Sequence, residues 1–148
     1  MYLPVSMFVH TVTVYYTGDE DPVTFETETV ITVLRGVLLD AAKAVNVRQS
    51  GLESADAVDL YIPFGVDARD GVTGEAKTFA LPKAFEAASD RSGLWTLSTQ
   101  RCFFVKGEVV VPGASYQDIN SQYDDVYRIT SVDCKDFGRL QHWEVGGR

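Results

Sequence analysis

The sequence predicts a mainly β fold, a single-domain antiparallel β-barrel or sandwich with one short helix and a long inserted loop region. Three observations carry that prediction. Apolar and polar residues alternate with period two in several short runs, as half-buried strands require. Helical periodicity surfaces in one brief stretch, near Pro82. The length of 148 residues is that of one domain with one core, which we set at residues 1–148 with an insertion at about 65–100.

The elements follow in order. His10 to Tyr15 alternates valine and threonine with aromatics and reads as a first strand, with Val12, Val14 and Tyr16 on its apolar face. Asp19, Glu20, Asp21, Glu26 and Glu28 gather at a hairpin tip. Val30 to Asp40 is apolar on both sides, as a strand covered on both faces should be, and Gly36 within it marks a bulge or bend that curls the sheet. Ala41 to Asp56 is an irregular excursion in which Ser50 and Glu53 have capping-box spacing. Val58, Leu60, Ile62 and Phe64 then face one way against Asp59, Tyr61 and Pro63, and Pro63 places a strand end or edge there.

Between Gly65 and Gln100 the composition changes. Asp70-Gly71 and Thr73-Gly74 are turn signals, so Gly65 to Lys77 is expected as a loop over the surface. Pro82 at a first helical turn, followed by Phe85 and Ala88, predicts a helix over Pro82–Ala88. Leu94 to Leu97 adds a strand with Trp95 as a core or interface anchor. Cys102 to Val105 is a buried strand, Glu108 to Val111 is a candidate continuation, and Pro112 to Gln122 breaks the pattern. Val126 to Asp133 and Leu140 to Val145 form a closing hairpin, with Gly146 and Gly147 read as its stop.

A net charge of −8 disfavours an ordinary nucleic-acid binder, because phosphate neutralisation supplies most non-specific affinity and the thirteen basic residues are scattered from Arg35 to Arg148. The apolar opening from Met1 to Val9 lacks a basic leader and a cleavage site, and no run approaches a membrane span, so a soluble chain without a signal peptide is expected. Cys102 and Cys134 are expected as buried free thiols. His10 and His142 lack a third ligand in any metal-site spacing. Serine occurs in no nucleophile elbow, and Asp124, Asp125, Asp133 and Asp136 sit beside turns, where aspartate bonds nearby backbone. We expect no enzyme, no cofactor and no metal.

The closing segment Tyr123 to Arg148, the opening strand His10 to Tyr15, the acidic tip and the strand Val58 to Phe64 together resemble the head-tail connector proteins of tailed bacteriophages, of the head-closure or stopper type. The segments Ile62-Pro63-Phe64, Gly93-Leu94-Trp95-Thr96-Leu97, Val105-Lys106-Gly107 and Gln141 to Gly147 are more closely similar to an uncharacterised group of phage minor structural proteins. The resemblance implies a virion protein of the neck, assembled in the host cytoplasm, with homo-oligomer ring formation on a twelve-fold portal or adaptor. Its partners would be the portal or adaptor protein and the tail-completion or tail-tube proteins, with passive DNA contact in the channel and no membrane. Candidate ring or partner contacts are Arg48 and Glu53 in the excursion, Asp67, Arg69 and Asp70 in the loop, Trp95, and Arg139 in the closing turn. Two rival expectations are a minor capsid or tail-completion protein of the same particle, and a small β-barrel binding module using Tyr15, Tyr16, Tyr61 and Tyr127 as an aromatic face. An enzyme is the weakest rival.

Overall fold

A computed structural model describes residues 5–41 and 57–148. The strands are β1 (His10–Glu20), β2 (Thr27–Asp40), β3 (Val58–Pro63), β4 (Asp67–Asp70), β5 (Thr78–Phe79), β6 (Leu94–Trp95), β7 (Cys102–Lys106), β8 (Val126–Lys135) and β9 (His142–Gly147). Two short helices, α1 (Pro82–Ala87) and α2 (Tyr116–Asn120), and a 3₁₀ turn at Val5–Met7 complete the described elements. The fold is mainly β, as the alternation predicts. The helix at Pro82 is present and α2 is additional.

All strand pairings but the short parallel β5–β6 contact are antiparallel. One sheet joins β4, β2, β1, β7 and the start of β8; the other joins the end of β2, β3, β9 and the rest of β8. β2 and β8 therefore cross from sheet to sheet, and the molecule is a sandwich with shared corner strands. In β2 the corner is Gly36, whose φ of 85° suits glycine alone. Residues before it pair with β1 and β4, and Leu38–Asp40 pair with β3. In β8 the register shifts between Ile129 and Ser131.

The inner faces meet in the main core. Val12, Val14 and Tyr16 of β1 and Phe104 of the adjacent β7 share one buried cluster with Leu60 and Ile62 of β3, Ile129 of β8 and Val145 of β9. Phe85, Trp95 and Leu97 close one end of it. The segment 65–100 forms a cap that carries the expected helix and strand, with one further strand than its sequence predicts in Gly65–Lys77. Within it, Asp67–Asp70 pairs with Thr32–Arg35 of β2 and Lys77 is buried, so the expected surface loop over Gly65–Lys77 is confined to the exposed turn at Val72–Ala76.

The outer face of the first sheet is covered as well. Tyr15, Ile31, Phe103, Val105 and Val126 pack beneath Ala114 and Ile119. Glu108–Val111, a candidate continuation of the ladder in the sequence, does not extend it; residues 107–111 cross over β1 and bond its side chains. Thr13 Oγ1 donates to the Gly107 carbonyl at 2.7 Å and accepts from Val109 N at 3.0 Å, while the Tyr15 hydroxyl donates to the Val109 carbonyl and accepts from Val111 N. Backbone groups that leave the sheet are satisfied this way.

Gly146 and Gly147 are the last two residues of β9, buried and still paired with β3 and β8, so the strand runs through them instead of stopping at Val145. A Cβ at Gly147 would stand 2.9 Å from Val58 Cγ2 and 3.1 Å from Phe104 Cζ, so the glycine is there for close packing. Of the two cysteines, Cys102 is buried as expected and Cys134 is exposed, because β8 turns its outer face to solvent there. Burial pushes the Cys102 thiol up to about 12.

Candidate functional site

The feature with the most to offer another molecule is the β1–β2 hairpin. Its strands stay paired beyond the point where β7 stops at Tyr16, which makes residues 17–29 an arm projecting from the sandwich. Arg91 of the cap and Arg101 just after it hold the base of that arm on both sides. Arg101 meets Asp19 at 2.7 Å, and Arg91 meets Glu28 at 2.7 Å. Arg91 also donates to the Phe85 and Glu86 carbonyls at the end of α1, so one guanidinium ties arm to helix. Tyr16 packs edge-on against Phe85 at 4.7 Å just below.

The tip is a tight turn over Asp21–Glu26. Asp21 N donates to the Glu26 carbonyl and Phe25 N to the Asp21 carbonyl, both at 2.8 Å. The Asp21 carboxylate accepts from Val23 N and Thr24 N, and these bonds hold its carboxyl below the usual range. The turn requires left-handed backbone at residue 25, where glycine or asparagine is the ordinary choice. Phe25 occupies it, with φ of 61°, the one non-glycine at positive φ among the described residues. Phe25 is 75% exposed and Val23 is 82% exposed. Two bare apolar side chains, one on strained backbone, sit among Glu20, Asp21 and Glu26.

The residues singled out from sequence do not converge. Arg48, Glu53 and the capping box lie outside the described residues. Asp67 and Arg69 form an exposed pair at 2.9 Å. Asp70 is structural: it accepts from Val72 N and Thr73 N in its turn and meets the Lys77 ammonium at 3.0 Å. Lys77, with no side-chain exposure, also reaches Thr32 Oγ1 and the Ile31 carbonyl. Burial opposes ionisation of Asp70, yet the bonds from Thr73, Lys77 and Val72 outweigh it and hold the carboxyl low. Trp95 is enclosed between Phe79 and Trp143 and offers no surface to a partner. Arg139 is exposed between β8 and β9.

Tyr15, Tyr16, Tyr61 and Tyr127 are all buried, so they form no aromatic binding face. His10 accepts from Leu39 N at 3.0 Å and His142 lies 2.9 Å from the Leu140 carbonyl; their strands are not neighbours. No group of three or more metal-ligating side chains gathers among the described residues. No helix among them is long and apolar enough to cross a membrane. Sequence reasoning saw the acids of the tip and missed Phe25. The available signal was two large apolar residues, Val23 and Phe25, in an otherwise acidic turn.

Comparison with curated proteins and with solved structures finds no match. Residues 7–148 match the model of a family of unknown function (DUF6751), and the chain belongs to that family.

Proposed function

We propose that this chain is a non-enzymatic structural component of a tailed-phage virion, a head-closure type connector that assembles as a ring between the portal or adaptor and the tail. The observation that carries the reading is the arm. A rigid sandwich holds a hairpin clear of its body, two ion pairs fix the hairpin's base, and the tip presents Val23 and Phe25 to solvent. Exposed apolar groups on strained backbone are a cost to the isolated fold, and such a cost persists where a contact uses it. A ring needs two different surfaces per subunit, and a projecting arm is one of them. The acidic net charge suits a channel wall past which DNA slides without adhering.

The test is the particle itself. Electron microscopy of phage assembled without this chain should show filled or leaking heads and separate tails. Tailed, infectious particles in its absence would contradict the proposal, and heads joined to truncated tails would move the chain to tail completion.

A further inference from the structure

A groove of about 410 Å³ opens beside the base of the arm, walled by Thr17, Gly18, Gln100, Arg101, Tyr116 and Arg128. Its floor is aromatic. Tyr15 stacks on Phe103 at 4.7 Å, Phe103 meets Tyr116 edge-on at 5.5 Å, and the Arg128 guanidinium lies 4.2 Å from the Tyr116 ring centre. Arg101 is neutralised by Asp19, but Arg128 has no carboxylate partner among the described residues. Arg128 and Arg148 exchange both backbone hydrogen bonds, so they stand directly opposite each other with side chains on one face. The Arg128 guanidinium over the Tyr116 ring thus makes a basic, aromatic seat on an acidic protein, with Arg148 beside it on the same face of the ladder.

The arm carries the complementary surface. Glu20, Asp21 and Glu26 surround Phe25 and Val23, all exposed. The arm cannot occupy its own groove, since Thr17 and Gly18 are both the groove's wall and the arm's root. From Thr17 to Asp21 the strand advances roughly 13 Å away from that wall, at about 3.3 Å per residue. Folding back would break the β1–β2 ladder.

We propose that the arm docks on a second copy of this chain, with Phe25 against Tyr116 and the tip carboxylates facing Arg128 and Arg148. This deepens the ring reading by naming its contact, and it rests on that reading only for the number of copies. Opposed charge sets the register and partner, while the aromatic contact supplies buried area.

The experiment is sedimentation velocity on the full chain over a concentration series at low and high salt, with a thermal melt of each variant. Wild type should associate, less so at high salt. Phe25→Gly should be monomeric, with a melt no lower than that of wild type at a concentration where wild type is monomeric too. Glu26→Lys and Arg128→Glu should each weaken association about tenfold or more, and the double exchange should recover much of it. Glu26 is chosen because Asp21 holds the turn together. If Arg128→Glu melts early, Tyr116→Ser replaces it, with the same loss of association and no recovery on adding Glu26→Lys. An arm-dependent assembly that stops at a dimer supports the docking and counts against the ring. Rings that persist with Phe25→Gly support the ring and overturn the docking. A wild type that stays monomeric throughout overturns the docking too, and if Phe25→Gly phage then lack tails, the arm belongs to another virion protein.

Discussion

Asp70 and Lys77 form an ion pair beneath the turn that follows β4, and the lysine end of it has no contact with water. Removing one partner of such a pair leaves a buried charge uncompensated, which costs about 3–5 kcal/mol. Asp70→Ala should therefore lower stability by that amount in urea melts, whereas Lys77→Met, which removes the charge and keeps the volume, should cost less. Because the folded-state carboxyl is held low, its stabilisation is complete above the unfolded pKa of about 3.9 and is lost as pH falls through the folded value. The acid limb of the Asp70→Ala stability curve should be correspondingly flatter than that of wild type. The two thiols give a second residue-scale expectation. Cys134 is exposed, and Cys102 is buried with its thiol pushed up to about 12, so a thiol reagent should label one cysteine in the native protein and both in urea. Rapid labelling of both before unfolding would contradict the described packing of β7.

Two elements that look alike in sequence differ in what they do. Asp67–Thr78 and Thr17–Thr29 are both polar, turn-rich and flanked by better-patterned strands. The first pairs with β2, buries Ala68 and carries Lys77 into the interior; the second leaves the body after Tyr16. Deleting Asp67–Thr78 should abolish folding. Replacing Glu20–Thr27 by a two-residue Asn-Gly turn should leave a native circular dichroism spectrum and a cooperative melt, because that turn type suits a two-stranded ribbon. An unfolded arm variant would assign the arm to the core. The α2 helix shows why some elements stayed hidden. Ser115 Oγ accepts from Asp118 N and Asp118 accepts from Ser115 N, a complete capping box, yet the helix has five residues and only Ile119 buried, too few to generate a period. β4 was hidden likewise, with Ala68 its one apolar residue.

At the scale of the whole molecule, the parts legible in sequence were those where one face meets the core and the other meets solvent. Val58, Leu60 and Ile62 announced β3, and the two-sided apolar run of β2 together with Gly36 announced a covered strand that bends. What the pattern could not carry was distance between segments remote in sequence. The glycines of β9 read as a stop because nothing local says that Val58 and Phe104 stand within a methyl's width of Gly147. Trp95 read as core or contact alike until Phe79 and Trp143 closed around it. The arm was visible as a cluster of acids. Its strained aromatic was not, since the sign of φ at Phe25 follows from the closed turn and not from any residue preference.

That residue gives the most direct test of the central claim, that the arm is built for contact at the fold's expense. Left-handed backbone costs an L-residue about 1–2 kcal/mol, and glycine relieves it at some cost in chain entropy. Compared at a concentration where both are monomeric, Phe25→Gly should leave the melting temperature unchanged or raise it by up to about 4 °C, while phage carrying the same substitution yield heads without attached tails. A lowered melting temperature with a normal yield of tailed particles would contradict the account.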